Sequence, residues 1–447
     1  MTEVTQLPVD LGVPGWNALL SERQPSPALD QDIETDYLIV GAGFAGLSAA
    51  RRLNQLDNEA SVVILEASRV AEGPAGRNSG FMIDLPHVLS SSNYAGQAQE
   101  DIKRTRMNRA AIDFAGSMVK EFQMPGEAFV RSGKTNAAAS HAGLRNNQVY
   151  ASYLDSLDEP FRMLDRAEMR SLTGSSYYQG GLWTPGTVII QPALYIRCVA
   201  DGLAAKPTCR LYEQSAVISL AQQGDRWRAE TRTGSVVAAK VILAVNGLIE
   251  SFGFYRQRLM HINLYASMSR ELNAGEVASL GGESRWAFTP AYPLGSTVRR
   301  IDGRGGHRIL IRNRCTYDPS MKPSRSRMSQ VLADHDLAFR NRFPMLGRVN
   351  MEYRWSGRLC LSRNEVWAIG ELDNHLYSAC CQNGLGTTRG TIAGIIAAEM
   401  ACGSTSDSLI PDYFEEEEPK KLLPEPFMSL GASSYLRFRE WRAGSEL

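Results

Sequence analysis

One segment constrains this chain more than any other: Tyr37-Leu38-Ile39-Val40 is a short apolar run that ends in Gly41-Ala42-Gly43-Phe44-Ala45-Gly46. The apolar run has the pattern of a strand buried in a parallel sheet, and residues 45–56 then carry apolar side chains at helical spacing. Val62-Val63-Ile64-Leu65 supplies a second buried strand, which completes a unit the size of a βαβ crossover. Each glycine has a physical task. Gly41 permits the tight turn, Gly43 lets backbone approach a pyrophosphate with no Cβ in the way, and Gly46 lets the helix pack closely on the strand. A diphosphate placed there meets the positive end of the helix and its unpaired N–H groups. Glu66 ends the second strand, where its carboxylate can accept from ribose hydroxyls and its charge disfavours a 2′-phosphate. Strand, helix, second strand and acid fall in register, and together they predict a dinucleotide site.

Charge and composition narrow the class. The 447 residues hold 48 Lys plus Arg and 48 Asp plus Glu, so no net field draws the chain to nucleic acid or an anionic surface. A small molecule is the expected partner, with no nucleic acid. The first thirty residues lack a basic stretch followed by an apolar one, and no apolar run reaches the roughly 18 residues of a membrane span. The seven cysteines are scattered without metal or disulfide spacing. The expectation is a reduced, cytoplasmic protein with no metal site.

Along the chain, residues 1–32 have turn composition and read as an arm lying on the folded body. Helical spacing predicts helices over 100–122, 154–172, 191–203, 330–343 and 391–400. A β-meander is expected over 216–243, further strands over 257–315, and a last buried strand at 366–369.

The residues after Glu66 decide the kind of dinucleotide. The loop Gly73-Pro74-Ala75-Gly76-Arg77-Asn78-Ser79-Gly80 is rich in small residues, with one Arg and one Asn that offer donors and a cation to a diphosphate. Together with Gly41 to Gly46 it resembles the D-amino acid oxidase superfamily of FAD enzymes, whose second loop commonly reads G-A-S-G-R-N-G-G. Arg308–Tyr317 (R-I-L-I-R-N-R-C-T-Y), Tyr353-Arg354-Trp355-Ser356-Gly357, Asn383-Gly384-Leu385-Gly386-Thr387-Thr388 and the 423–441 tail are similar to the gamma-glutamylputrescine oxidase group within it. The resemblance implies an α/β fold in which a Rossmann-like FAD-binding domain is interleaved with an antiparallel-sheet substrate domain. Residues 1–32 would be the arm, 33–100, 190–255 and 360–402 the FAD domain, 101–189 and 256–359 the substrate domain, and 403–447 a C-terminal tail. It implies FAD contacts from Gly41, Ala42, Gly43, Ala45 and Gly46, then Glu66 and Ala67. The second loop would add Arg77, Asn78, Ser79, Gly80 and Met82. Val217, Asn246, Gly384, Leu385, Gly386 and Thr387 would complete the site, the last four beside flavin N1 and O2, where a helix N-terminus favours negative charge.

Three departures from the superfamily matter. Leu385 stands where related loops carry histidine, so any side-chain role for that histidine is excluded. Counting back to where the sarcosine oxidase branch tethers its flavin through cysteine lands near Trp355, and noncovalent FAD is expected. Thr388 stands where that branch holds a substrate carboxylate with lysine. The implied reaction moves a hydride from the carbon next to an amine to flavin N5, with the imine hydrolysed and O2 or another acceptor reoxidising the cofactor. Asp84 and His87, just beyond the second loop, are candidates to bind an ammonium or relay a proton. Arg308 and Arg312, on the sheet over the flavin, are candidates for a substrate carboxylate, and Tyr377, Gln382 and Trp355 for the pocket wall. A flavoprotein dehydrogenase, or a flavin-bearing module of a larger complex, is the alternative. The substrate and oligomeric state stay open.

Overall fold

The strand Asp32–Val40 lies inside a nine-stranded sheet, parallel to Val62–Leu65 on one side and to Ser235–Leu243 on the other. Leu38 sits beside both Val63 and Val241, and all three are fully buried. A continuous apolar run at Tyr37 is explained by this double-sided burial. A computed structural model describes residues 2–86, 97–404, 408–413 and 417–447.

Helix Phe44–Leu56 covers one face of the sheet and packs against helix Thr388–Cys402 through small residues. A Cβ added at Gly394 would lie 2.1 Å from the Ala45 carbonyl oxygen, and one at Gly46 would lie 1.8 Å from that of Gly41. Arg52 and Glu399 clamp the two helices with a buried ion pair at 2.8 Å. The predicted meander appears as Ser219–Gln223, Arg226–Glu230 and Ser235–Leu243, with Val217 and Ile218 just ahead of it. Leu376–Cys380 then joins the sheet beside Ser235–Leu243.

An eight-stranded sheet forms the second layer, in the order Met351–Ser362, Leu259–Ser269, Arg308–Tyr317, Thr297–Ile301, Trp286–Pro290, Lys134–Ala138, Gly180–Thr184 and Arg162–Leu164. It is antiparallel except where Trp286–Pro290 pairs in parallel with Lys134–Ala138. Its strands come from two stretches of chain that alternate with those of the first sheet, so the two layers are interleaved. Helix Arg325–Arg342 covers the far face, with Ala338 and Phe339 in an apolar cluster beside Ile309 and Ile311.

Two expectations need correction. The helix expected over 154–172 is broken: one helix ends at Ser156, Asp158 takes φ 56°, Arg162–Leu164 adds an edge strand, and a new helix runs over Arg166–Thr173. Asp165 and Glu168 form a reciprocal capping box that starts this second helix and overrides the apolar spacing read across the gap. The arm is also more ordered than its turn composition implies. Thr2–Glu3 adds a strand against Ser219–Gln223, while Trp16 and Leu29 are buried.

The C-terminal segment returns to the second sheet as helix Phe427–Ala443. Arg314 bridges Asp334 and Glu440, each at 2.9 Å, and Glu446 accepts from the Ala139 and Ser140 amides.

Candidate active site

Between the two sheets lies a cavity of about 1010 Å³, bordered by both glycine loops, by Glu66 and by the second sheet. Gly41 takes φ 105°, and an added Cβ would meet the Ala244 carbonyl oxygen at 2.8 Å. Gly43 is different: its Cβ would meet only the Ala75 Cβ, at 3.6 Å. The protein leaves room there, and a side chain would enter the cavity at the helix N-terminus where a diphosphate belongs. Glu66 accepts from the Ala42 and Ser68 amides at 2.9 and 3.0 Å, one at each carboxylate oxygen. Burial raises its pKa and these amides oppose the rise. Each oxygen keeps lone-pair capacity for a ribose hydroxyl.

The second loop folds on its own side chains. Asn78 donates to the Ala75 carbonyl at 2.6 Å and accepts from the Gly80 amide at 2.8 Å. Trp16 and Trp355 donate their indole N–H groups to the Asn78 and Arg77 carbonyls, both at 2.9 Å. Arg77 borders the cavity, but its Nε and Nη1 donate to the carbonyls of Glu72, Leu11, Gly12 and Ser356. Burial, the first cause, lowers its pKa. Its guanidinium fastens the arm to the loop, which sequence spacing alone did not reveal. Arg299, also missed, holds the same loop from the second sheet by donating to the Ser79 carbonyl at 2.6 Å. Its charge lies 4.8 Å above the Trp16 ring, and burial brings its pKa down to about 9.

Ala42, Ala45, Ala67, Ser79, Gly80, Val217 and Asn246 border the same cavity. At its far end Asn383 and Gly384 turn the chain with φ 47° and 86°. Asn383 braces this turn by accepting from the Ser362 amide and donating to the Glu365 and Val366 carbonyls. Gly384, Leu385, Gly386 and Thr387 border the cavity, and a Cβ added at Gly386 would meet nothing within 4 Å. The Thr387 hydroxyl donates to the Phe81 carbonyl at 2.5 Å and so ties the last loop to the second one. Gly46 and Met82 do not border the cavity: a Cβ on Gly46 would strike the Gly41 carbonyl, as its packing role requires, and Met82 is fully buried in the core while its neighbours Phe81 and Ile83 reach the cavity.

The substrate candidates separate in the same way. Arg312, Trp355 and Gln382 border the cavity. Arg308 does not: it donates to the Gly305 and Ser269 carbonyls, pairs with Glu352 and lies over the Tyr353 ring. Asp84 is buried outside the cavity wall, accepting from Thr187 and Arg109 at 3.2 Å each. Tyr377 packs into the core behind the first sheet. His87 lies outside the described residues. Ala287 packs with Phe81, Ile83 and Leu385 in a buried apolar cluster, and Thr289, Thr297 and Arg312 border the cavity. Thr289 was not singled out from sequence, because its place depends on a sheet pairing far from the glycine motifs.

Among the described residues there is no His, Cys, Asp and Glu cluster able to hold a metal, and all seven cysteines are free. No described helix is long and apolar enough to cross a membrane.

A parallel-sheet dinucleotide motif that opens across one cavity onto a second sheet suits an FAD-dependent oxidoreductase. The sequence profile of the family described as DAO, FAD dependent oxidoreductase, matches residues 36–400, and the chain belongs to that family. It is 25% identical over 442 residues to gamma-glutamylputrescine oxidoreductase of Escherichia coli, covering 94% of this chain and 96% of that one. It is 23% identical over 384 residues to the probable oxidoreductase OrdL of Haemophilus influenzae, covering 84% and 85%. Glycine oxidase from Geobacillus kaustophilus shares the fold with a TM-score of 0.69 at 16% identity, covering 86% of this chain and 99% of that one. L-alpha-glycerophosphate oxidase from Mycoplasma pneumoniae, solved with FAD bound, gives 0.63 at 14% identity over 88% and 99%. The cofactor is FAD.

Proposed function

We propose that the protein oxidises an amine at the carbon next to nitrogen, passing the electrons to O2 with release of H2O2. FAD supplies the hydride acceptor when bound. The observation that carries the reading is the continuity of one cavity from Glu66, past Gly386, to the wall that holds Thr289 and Arg312. That wall holds a substrate over the last FAD loop, and the apolar side chains of Phe81, Ile83 and Leu385 exclude water beside it. A low-dielectric site of this kind favours a neutral amine, the form able to release hydride. No dedicated base is needed, which fits the displacement of Asp84 from the cavity. Water then adds to the imine and yields a carbonyl compound and a released amine.

The similarity to gamma-glutamylputrescine oxidoreductase supports an amine rather than another hydride donor. Trp355 stands where a tethering cysteine would be expected, and burial lifts the thiol of cavity-lining Cys315 to about 12, which disfavours a thiolate there and supports noncovalent FAD. Seven free cysteines fit a reducing compartment such as the cytoplasm. The test is anaerobic mixing of the yellow protein with a panel of amines, followed by admission of air. Bleaching, then recovery with peroxide release, is the expected outcome. Recovery only on adding an artificial acceptor would reassign the electron acceptor, and no bleaching by any amine would overturn the reading.

A further inference from the structure

Lys134 opens a strand of the second sheet and is 4% exposed; among the described residues no carboxylate forms a salt bridge with it, and Asp84 acts on it only through its charge. Its ammonium lies on the sheet face shared by Asn136 and Thr289, which are opposite each other in the parallel pair. Lys134 Nζ donates to Asn136 Oδ1 and to Thr289 Oγ1, the latter at 3.2 Å, and Thr289 Oγ1 donates to Asn136 Oδ1 at 2.6 Å. An ammonium has no lone pair, so the atom of Asn136 that faces it must be the carbonyl oxygen. That oxygen only accepts, and the single hydroxyl proton of Thr289 is therefore directed to it. One lone pair of Thr289 takes the Lys134 proton. The other remains, and Thr289 borders the cavity.

A hydroxyl fixed in this way accepts and does not donate. An amine about to lose hydride needs its nitrogen lone pair free, and a donor facing that nitrogen would occupy it. An acceptor engages an N–H instead and leaves the lone pair available. The charge of Lys134 favours the same state: it raises the cost of a protonated substrate amine, and the Asp84 carboxylate that acts on Lys134 is itself engaged with Thr187 and Arg109.

We propose that Thr289 accepts the N–H of the substrate amine, that Lys134 and Asn136 are the positioning pair that fixes its hydroxyl as an acceptor, and that the site thereby selects primary and secondary amines over tertiary ones. The inference rests on the amine reading above and adds the residue that distinguishes among amines. A tertiary amine, when neutral, has no N–H to offer.

The experiment uses FAD-loaded protein and three matched series: butylamine, benzylamine and pyrrolidine, each with its N-methyl derivative, and the two open-chain amines also as N,N-dimethyl derivatives. Second-order rates of anaerobic flavin bleaching are read for the wild type, Thr289→Val, Thr289→Ser and Lys134→Met, with FAD content and melting temperature as controls. The wild type should favour N–H amines. Thr289→Val should slow them by roughly 100-fold while tertiary amines change little, because the lost group is a polar partner of the substrate. Thr289→Ser should retain the preference, and Lys134→Met should reduce the ratio of secondary to tertiary rates by about tenfold, on the scale of one hydrogen bond to a charged group. Equal slowing of all amines in Thr289→Val would overturn the proposal. So would loss of FAD from that variant, which would put the hydroxyl against the cofactor. A wild-type flavin bleached by tertiary amines as fast as by secondary ones would overturn the selectivity alone. If no amine bleaches it, the parent reading fails first.

Discussion

Gly43 and Gly46 are separated by three positions and are needed for different reasons. A Cβ at Gly46 would strike backbone at 1.8 Å, whereas one at Gly43 would meet only another Cβ at ordinary contact distance. Gly43→Val should therefore fold and yet purify colourless, because its side chain takes the pyrophosphate space; a fully yellow Gly43→Val protein would contradict the site. Glu66→Ala should keep the melting temperature and weaken FAD binding roughly tenfold, about 1.4 kcal/mol, as measured by titration of apoprotein. An unchanged dissociation constant would remove the ribose role. The glycines and Glu66 were legible in sequence because their spacing is local and each has a steric or charge reason. Arg77 was legible as a neighbour of the site but not as a fastener, since its partners at Leu11, Gly12 and Ser356 are remote in the chain. Asp84 and Arg308 were read as reactive charges, and the fold pairs both away from the cavity.

Between elements, the contact that holds the site is helix Phe44–Leu56 against helix Thr388–Cys402. It brings the first and last FAD loops together although they are more than three hundred residues apart. Gly394→Leu would force a side chain into the Ala45 carbonyl and should destabilise the protein by about 3 kcal/mol, read as a lower urea midpoint. An unchanged midpoint would show that the helices can separate freely. Helix Arg325–Arg342 carries a second test. His335 is buried between Ser267 and the Asn313 carbonyl, and burial drives its pKa down to about 4 from the usual 6.5. The unfolded chain thus binds more protons between those two values, so stability is complete above pH 6.5 and falls as pH is lowered towards 4. His335→Gln should flatten that part of the curve of melting temperature against pH, even if the variant starts lower; an identical slope would exclude His335 as the cause. The long periodic helices were readable because apolar spacing there is continuous. The break within 154–172 was not, since the edge strand Arg162–Leu164 gains its pairing from Gly180–Thr184.

Across the whole molecule, two sheets built from alternating stretches of one chain border a shared cavity, with the dinucleotide motif on one side and the proposed substrate wall on the other. The first side follows a local motif and could be read from Tyr37 onward. The second depends on pairings such as Asn136 with Thr289, which no local spacing encodes. Anaerobic stopped-flow of the FAD-loaded protein against primary, secondary and tertiary amines decides whether amine oxidation is its chemistry. Amine oxidation by this protein requires that the visible flavin band bleach in a saturable way with at least one amine bearing an N–H, and that admitting air restore it with one H2O2 per turnover. A yellow, folded protein whose flavin no amine reduces would contradict it.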